Sequence, residues 1–206
     1  SIEEGTQIYT RGAMPRATNT ESEPVILEPD PFCVAVSEPF EVQLDKETTV
    51  VMRPHVRYQE VTVTIYNVPN LQYTSLFGGA LTGLAPSVSL LTGKLGEGCV
   101  TQAFTASVVG EFTLQMHFRI FGHCPHATEG EQNSHKLTIY AILADGTKWY
   151  YTEDVSIQMH DAFTAPDEYE LTVELNNLPV PKPIVNGSGF QPTIDGWQGI
   201  EIDVDM

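Results

Sequence analysis

Histidine and cysteine are the side chains most suited to holding a transition metal or running a thiol reaction, and here they crowd into one stretch. Residues 121–136 read FGHCPHATEGEQNSHK and carry His123, Cys124, His126 and His135, with His117 just upstream. The whole chain has six histidines and three cysteines. Structural zinc takes four ligands, commonly in two close pairs such as C-x2-C and H-x3-5-H. This stretch departs from that pattern. His123, Cys124 and His126 form one close group, and His135 stands nine residues further on. Neighbours such as His123 and Cys124 do not readily face one ion. A thiol nucleophile at Cys124 needs a base and an oxyanion hole. His126 is near in sequence, but Pro125 removes the backbone N–H that follows the thiol. The spacing favours a surface loop bent at Pro125 and Gly130. On this reading the loop holds no metal, the chain has no cofactor and no catalytic residue, and zinc leaves the melting temperature unchanged. GKLGEGC lacks a lysine after its last glycine, so it is no phosphate-cradling loop. No nucleophile elbow appears elsewhere.

The elements that position these residues are strands. In EVTVTIY, Val61, Val63 and Ile65 alternate with Glu60, Thr62 and Thr64. In EFTLQMHFRI, Phe112, Leu114, Met116, Phe118 and Ile120 point one way, and His117 lies on the polar side. The same period of two runs through Phe32, Val34 and Val36, then Phe40, Val42 and Leu44. It returns in Val100, Phe104, Ala106 and Val108, in Leu137, Ile139, Ala141 and Leu143, and in Tyr169, Leu171, Val173 and Leu175. It closes on Ile200, Ile202, Val204 and Met206. Strands with one wet face are typical of antiparallel sheets. The reading is therefore an all-β, two-sheet antiparallel sandwich with at most one short helix, at 154–162, where Val155 and Met159 are four apart. Residues 1–31, rich in Pro, Thr, Ser and Glu, read as a linker or N-terminal arm, and 32–206 as the sandwich domain.

Composition bounds the function. Ten basic residues face twenty-seven acidic ones, for a net charge of -17. That field repels phosphate, which argues against nucleic acid and anionic membrane surfaces as partners. A hydrophobic content of 41% supports a packed core. No run of eighteen apolar residues exists, so nothing in the sequence reads as a membrane-spanning helix. The opening SIEEGTQ has neither the basic start nor the apolar stretch of a signal peptide. Cys33, Cys99 and Cys124 allow at most one internal disulfide.

One candidate interaction surface follows from ILADGTKWYY. If Asp145 and Gly146 alone form the turn, Ile142 faces Trp149 and Tyr140 faces Tyr151. Tyr140, Trp149 and Tyr151 then share one face, opposite the apolar set of Leu137, Ile139, Ala141 and Leu143. That face is an aromatic patch open to a partner or a glycan, unless the arm or the segment holding Phe190 and Trp197 covers it. A longer loop shifts this register.

The segments VTVTIYNVPNLQYTSLFGGALTGLAPSVSLLTG, FRIFGHCPHA, HKLTIYAILADGTKWYYTEDV and LPVPKPIVNGSGFQPTIDGWQGIEIDVDM together resemble uncharacterised Bacteroidetes cell-surface lipoproteins related to fimbrillins and fimbrial anchor subunits. The resemblance covers roughly residues 32 to 206. It implies a transthyretin-like sandwich, exported and held at the cell surface or outer membrane, without enzymatic activity. This chain would then be the second domain with its linker. The implied partners are other fimbrial or surface subunits. The implied role is adhesion or fimbrial assembly and anchoring through protein–protein contacts. The alternative is a carbohydrate-binding module of a glycan-uptake system, with aromatics stacking on sugar rings. In the related pilus subunits an arginine-specific protease removes an N-terminal strand. Arg11 and Arg16 make the arm a candidate protease-sensitive segment here, with an ordinary linker as the plainer reading.

Overall fold

The computed structural model describes residues 7–9, 23–42, 44–125, 134–162 and 170–183. The strands run in chain order β1 (Gln7–Tyr9), β2 (Val25–Ile26), β3 (Cys33–Val34), β4 (His55–Val56), β5 (Gln59–Tyr66), β6 (Thr74–Leu84), β7 (Ser87–Ser89), β8 (Val100–Gly110), β9 (Thr113–Ile120), β10 (Lys136–Leu143), β11 (Lys148–Asp154) and β12 (Glu170–Asn176). One short helix, α1 (Ser156–Ala162), follows β11. Its buried Met159 and the preceding buried Val155 are the pair that the sequence spacing marks.

The main sheet has the order β11-β10-β6-β8-β9-β5-β12, with β2 beside β8. The long strand β8 joins its two halves. Residues 100–105 pair with β6, and residues 106–110 pair with β9. The sheet curls so that both halves line one core. Leu81 and Ile139 from one half meet Val63, Met116 and Val173 from the other. Phe104 of β8 stacks on Phe118 of β9 with centroids 4.3 Å apart. Phe118 is 1% exposed, so cutting it to Ala costs roughly 3–5 kcal/mol.

This corrects the expected pair of antiparallel sheets. The structure is mostly β with one short helix, but its sheet is continuous and mixed. β2 runs parallel to β8, and β12 runs parallel to β5. Alternation reports which face of a strand is wet. It does not report the direction of the neighbour, so a parallel edge strand such as β12 looks antiparallel in sequence.

Two further expectations change. Val36, Phe40, Val42 and Leu44 alternate, yet among the described residues this segment forms no strand beyond Cys33–Val34 and its partner His55–Val56. Val42 and Leu44 are 79% and 94% exposed. The expected arm also begins to join the sheet before residue 32. Val25 and Ile26 are buried against β8. Glu23 accepts from Gly83 N and Thr101 Oγ1 at 3.1 and 2.9 Å. Arg119 pairs with Glu28 at 3.0 Å and donates from Nε to Pro29 O at 2.9 Å. Upstream, Gln7–Tyr9 pairs with Ser87–Ser89. Arg11, Arg16, His126, Tyr169, Phe190, Trp197 and the expected C-terminal strand at 200–206 lie outside the described residues.

Candidate functional site

The β10–β11 hairpin places the three aromatics differently from expectation. Leu143 N donates to Thr147 O at 2.9 Å, and Gly146 N donates back to Leu143 O at 2.9 Å. Ala144, Asp145 and Gly146 thus make a three-residue loop. Gly146 takes the left-handed position at φ +83°, and Asp145 Oδ1 accepts from Thr147 N at 2.8 Å. The extra residue moves the register by one. Ala141 faces Trp149, Ile139 faces Tyr151 and Tyr140 faces Tyr150. Trp149 and Tyr151 stack on each other and pack against the core, while Tyr140 lies on the opposite face. The three do not form one aromatic platform. Burial, and behind it the neighbouring Tyr150, pushes the Tyr140 phenol above its ordinary pKa. A hydrogen bond to Glu153, 2.8 Å away, does the same to Tyr151.

The described ends of the histidine–cysteine stretch, residues 121–125 and 134–136, are built into the sheet end. Cys124 is not a free thiol. It forms a disulfide with Cys99, Cα atoms 5.0 Å apart, leaving Cys33 free and exposed. Cys124 N also donates to Gly83 O at 2.9 Å, and His123 forms a β-bridge with Leu84. His135, just before β10, is 0% exposed. Its Nδ1 is 3.0 Å from Thr82 O and its Nε2 is 2.7 Å from His123 Nδ1. His160, from the last turn of α1, completes the group. Its ring stacks on His123 with centroids 4.8 Å apart and meets His135 at 5.1 Å. His117 stands apart, on the polar face of β9 beside Thr62 and Glu60.

Sequence spacing brings His123 and His135 to notice but misses His160. That residue lies twenty-five positions beyond His135 on a separate element. The one available signal was the spacing of the short helix. Val155 and Met159 face the core, so His160 follows the last buried position and sits at its margin.

Two other features stand out. Val36, Phe40, Val42, Leu44, Val50, Val51 and Met52 form an exposed apolar run between β3 and β4. A cavity of about 260 Å³ opens where the two edge strands approach each other beside α1, lined by Tyr151, Glu153, Gln158, Glu174 and apolar neighbours. Among the described residues, no helix is long and apolar enough to cross a membrane.

Residues 2–105 match the model of a family described as "Domain of unknown function (DUF5119)". No curated protein matches the chain in sequence. Among solved structures, a protein described as a "putative adhesin" from Bacteroides ovatus superposes with a TM-score of 0.53 at 17% identity, over 86% of this chain and 66% of that one. The fimbrial anchor protein Mfa2 from Porphyromonas gingivalis gives a TM-score of 0.39 at 14% identity, over 69% of this chain and 50% of that one. The chain thus spans just under two thirds of the first of these structures and half of the second. The first likeness establishes a shared fold.

Proposed function

The chain belongs to the DUF5119 family, and from that premise we propose that it is a non-catalytic domain of a fimbrillin-related cell-surface lipoprotein of the outer membrane. It acts in adhesion or in fimbrial assembly and anchoring, through contacts with other surface subunits. The observation that carries this reading is the fold, shared over 86% of the chain with the Bacteroides ovatus protein described as an adhesin. We read the curled sheet, whose two halves enclose one core, as a variant of the transthyretin-like sandwich.

The exposed apolar run between β3 and β4 supports contacts with protein. Seven large apolar side chains in seventeen positions are costly to leave in water, and exposed apolar surface of this kind marks association surfaces. The glycan reading loses its support, because Trp149 and Tyr151 pack against the core rather than beside Tyr140.

The test has two readouts. An antibody raised against the chain should label intact cells of the producing organism, and Val42→Glu with Leu44→Glu should abolish the protein's association with its surface assembly without unfolding it. Labelling only after permeabilisation removes the surface role. Full association by the double variant removes the assigned contact.

A further inference from the structure

We infer that His123, His135 and His160 form a binding site for a divalent transition ion of the zinc type. The donor set fits. Imidazole suits zinc and its neighbours, and three protein ligands with one open position is a recurring arrangement. One ligand atom from each histidine lies within 4.8 Å of the others.

His135 is prepared for the task. Thr82 O is a carbonyl and can only accept, so the 3.0 Å contact puts the proton on Nδ1. Nε2 then carries the lone pair, and it points at His123. A ring N–H given to a backbone carbonyl is the usual way in which a metal-ligating histidine is oriented and made more basic. The ring has room because residue 83 is glycine. A Cβ there would stand 2.8 Å from His135 Nδ1 and 2.7 Å from Ser134 O.

The three supporting segments are cross-tied. The Cys99–Cys124 disulfide and the Cys124 N to Gly83 O bond fix the backbone next to His123. Ser156 Oγ accepts from His135 N at 2.9 Å, and Val155 N donates to His135 O at 2.9 Å, which ties the start of α1 to His135. The backbone next to His123 and the start of α1 are therefore already placed, which lowers the ordering cost of binding. The net charge of -17 favours a cation over an anion.

Zinc–nitrogen bonds of about 2.0–2.1 Å at tetrahedral angles put ligand nitrogens about 3.3 Å apart. The His123–His135 pair, now 2.7 Å apart, has to open by a few tenths of an ångström, His123 has to shed the Nδ1 proton it gives to His135 Nε2 and take one on its own Nε2 from solvent, and His160 has to close. His123 and His160 are only half-buried, so both rings can move, while His135 stays. The competing explanation is a hydrogen-bonded histidine pair that His160 merely stacks on. Within one loop, His123, Cys124, His126 and His135 lack the spacing of a zinc site; the set here drops Cys124 and recruits the helix.

The experiment uses the tag-free full chain, stripped with chelator and titrated with zinc alone by calorimetry. The expected result is one tight site per chain and a higher melting temperature with zinc. His160→Gln and His123→Gln should each weaken binding at least tenfold. His117→Gln should bind as the parent does. The cobalt form should show the intense visible bands of a tetrahedral site. His135 is too buried to test by substitution alone, so the half-buried pair carries the test, with circular dichroism showing that both variants fold. Zinc binding that is absent, or that survives His160→Gln undiminished, overturns the site. So does binding lost equally in His117→Gln. None of these outcomes bears on the surface role, which is read by cell labelling and assembly.

Discussion

Removing the Cys99–Cys124 bridge should destabilise the domain by an amount that chain statistics fix in advance. The bridge closes a loop with a sequence separation of 25. Cross-linking such a loop removes about 12 cal/mol/K of entropy from the unfolded chain, which is about 3.5 kcal/mol at 25 °C. The perturbation is the double variant Cys99→Ala with Cys124→Ala, compared with the parent in urea. Cys124 is buried and Cys33 is exposed, so Cys33→Ala serves as the control and should shift stability by less than about 0.5 kcal/mol. For a domain of this length, 3.5 kcal/mol corresponds to a fall in Tm of roughly 7–14 °C. Reductant should produce the same fall in the parent and none in the double variant. A double variant that melts within about 2 °C of the parent would refute the reasoning, because it would mean that the loop is not free in the unfolded state or that the bridge does not form.

Three further expectations follow from packing. Gly79→Ala should cost roughly 1–3 kcal/mol in chemical denaturation, since a Cβ there would meet the Phe104 ring and stand 2.8 Å from Thr138 O; Gly78→Ala, whose nearest contact is 3.4 Å, should be close to neutral. Trp149→Ala should cost about 2–3 kcal/mol and Tyr150→Ala under about 1 kcal/mol, because only the first packs against the core; the reverse order would restore the two-residue turn. Tyr140→Phe should leave stability at pH 7 unchanged or slightly higher, since among the described residues its buried hydroxyl meets no hydrogen-bond partner. Burial holds the folded phenol's pKa above 10, so the unfolded chain ionises first and the parent loses stability as pH climbs through 10 and on to the folded pKa; Tyr140→Phe, which has no proton to lose, should flatten this alkaline arm of the stability profile.

Much of the fold is legible where alternation coincides with burial. Val61, Val63 and Ile65, then Leu114, Met116, Phe118 and Ile120, then Leu171 and Val173 are read from period two and are buried in the structure. The helix is legible from Val155 and Met159. What alternation cannot supply is partnership. The run of Val36, Phe40, Val42 and Leu44 alternates as well as any of these, yet no neighbouring strand covers it among the described residues. Strand direction is equally silent, since β12 carries the same pattern beside a parallel neighbour as it would beside an antiparallel one. The hairpin register failed for a local reason. Asp-Gly suits a two-residue turn, but Asp145 does not adopt positive φ here, and Gly146 alone takes the left-handed position of a longer loop. One residue of loop length reverses every face in β11.

The histidine group shows a different limit. Short-range spacing tests metal sites whose ligands share a loop or a hairpin, and by that test residues 123–135 fail. The group in the structure draws on a bridge to β6, the start of β10 and the last turn of α1. What brings His160 to His135 is not their separation in sequence. It is the return of β11 along β10, which pairs Lys136 with Asp154 and so delivers the start of α1 beside residue 135. The hairpin is set by loop chemistry and side-chain pairing, and its length fixes where the helix begins. Had the turn closed one residue earlier, α1 would begin out of step with His135, and the bond from His135 N to Ser156 Oγ would not form. The residue that displaces the aromatic platform in β11 is therefore the same one that aligns the third histidine.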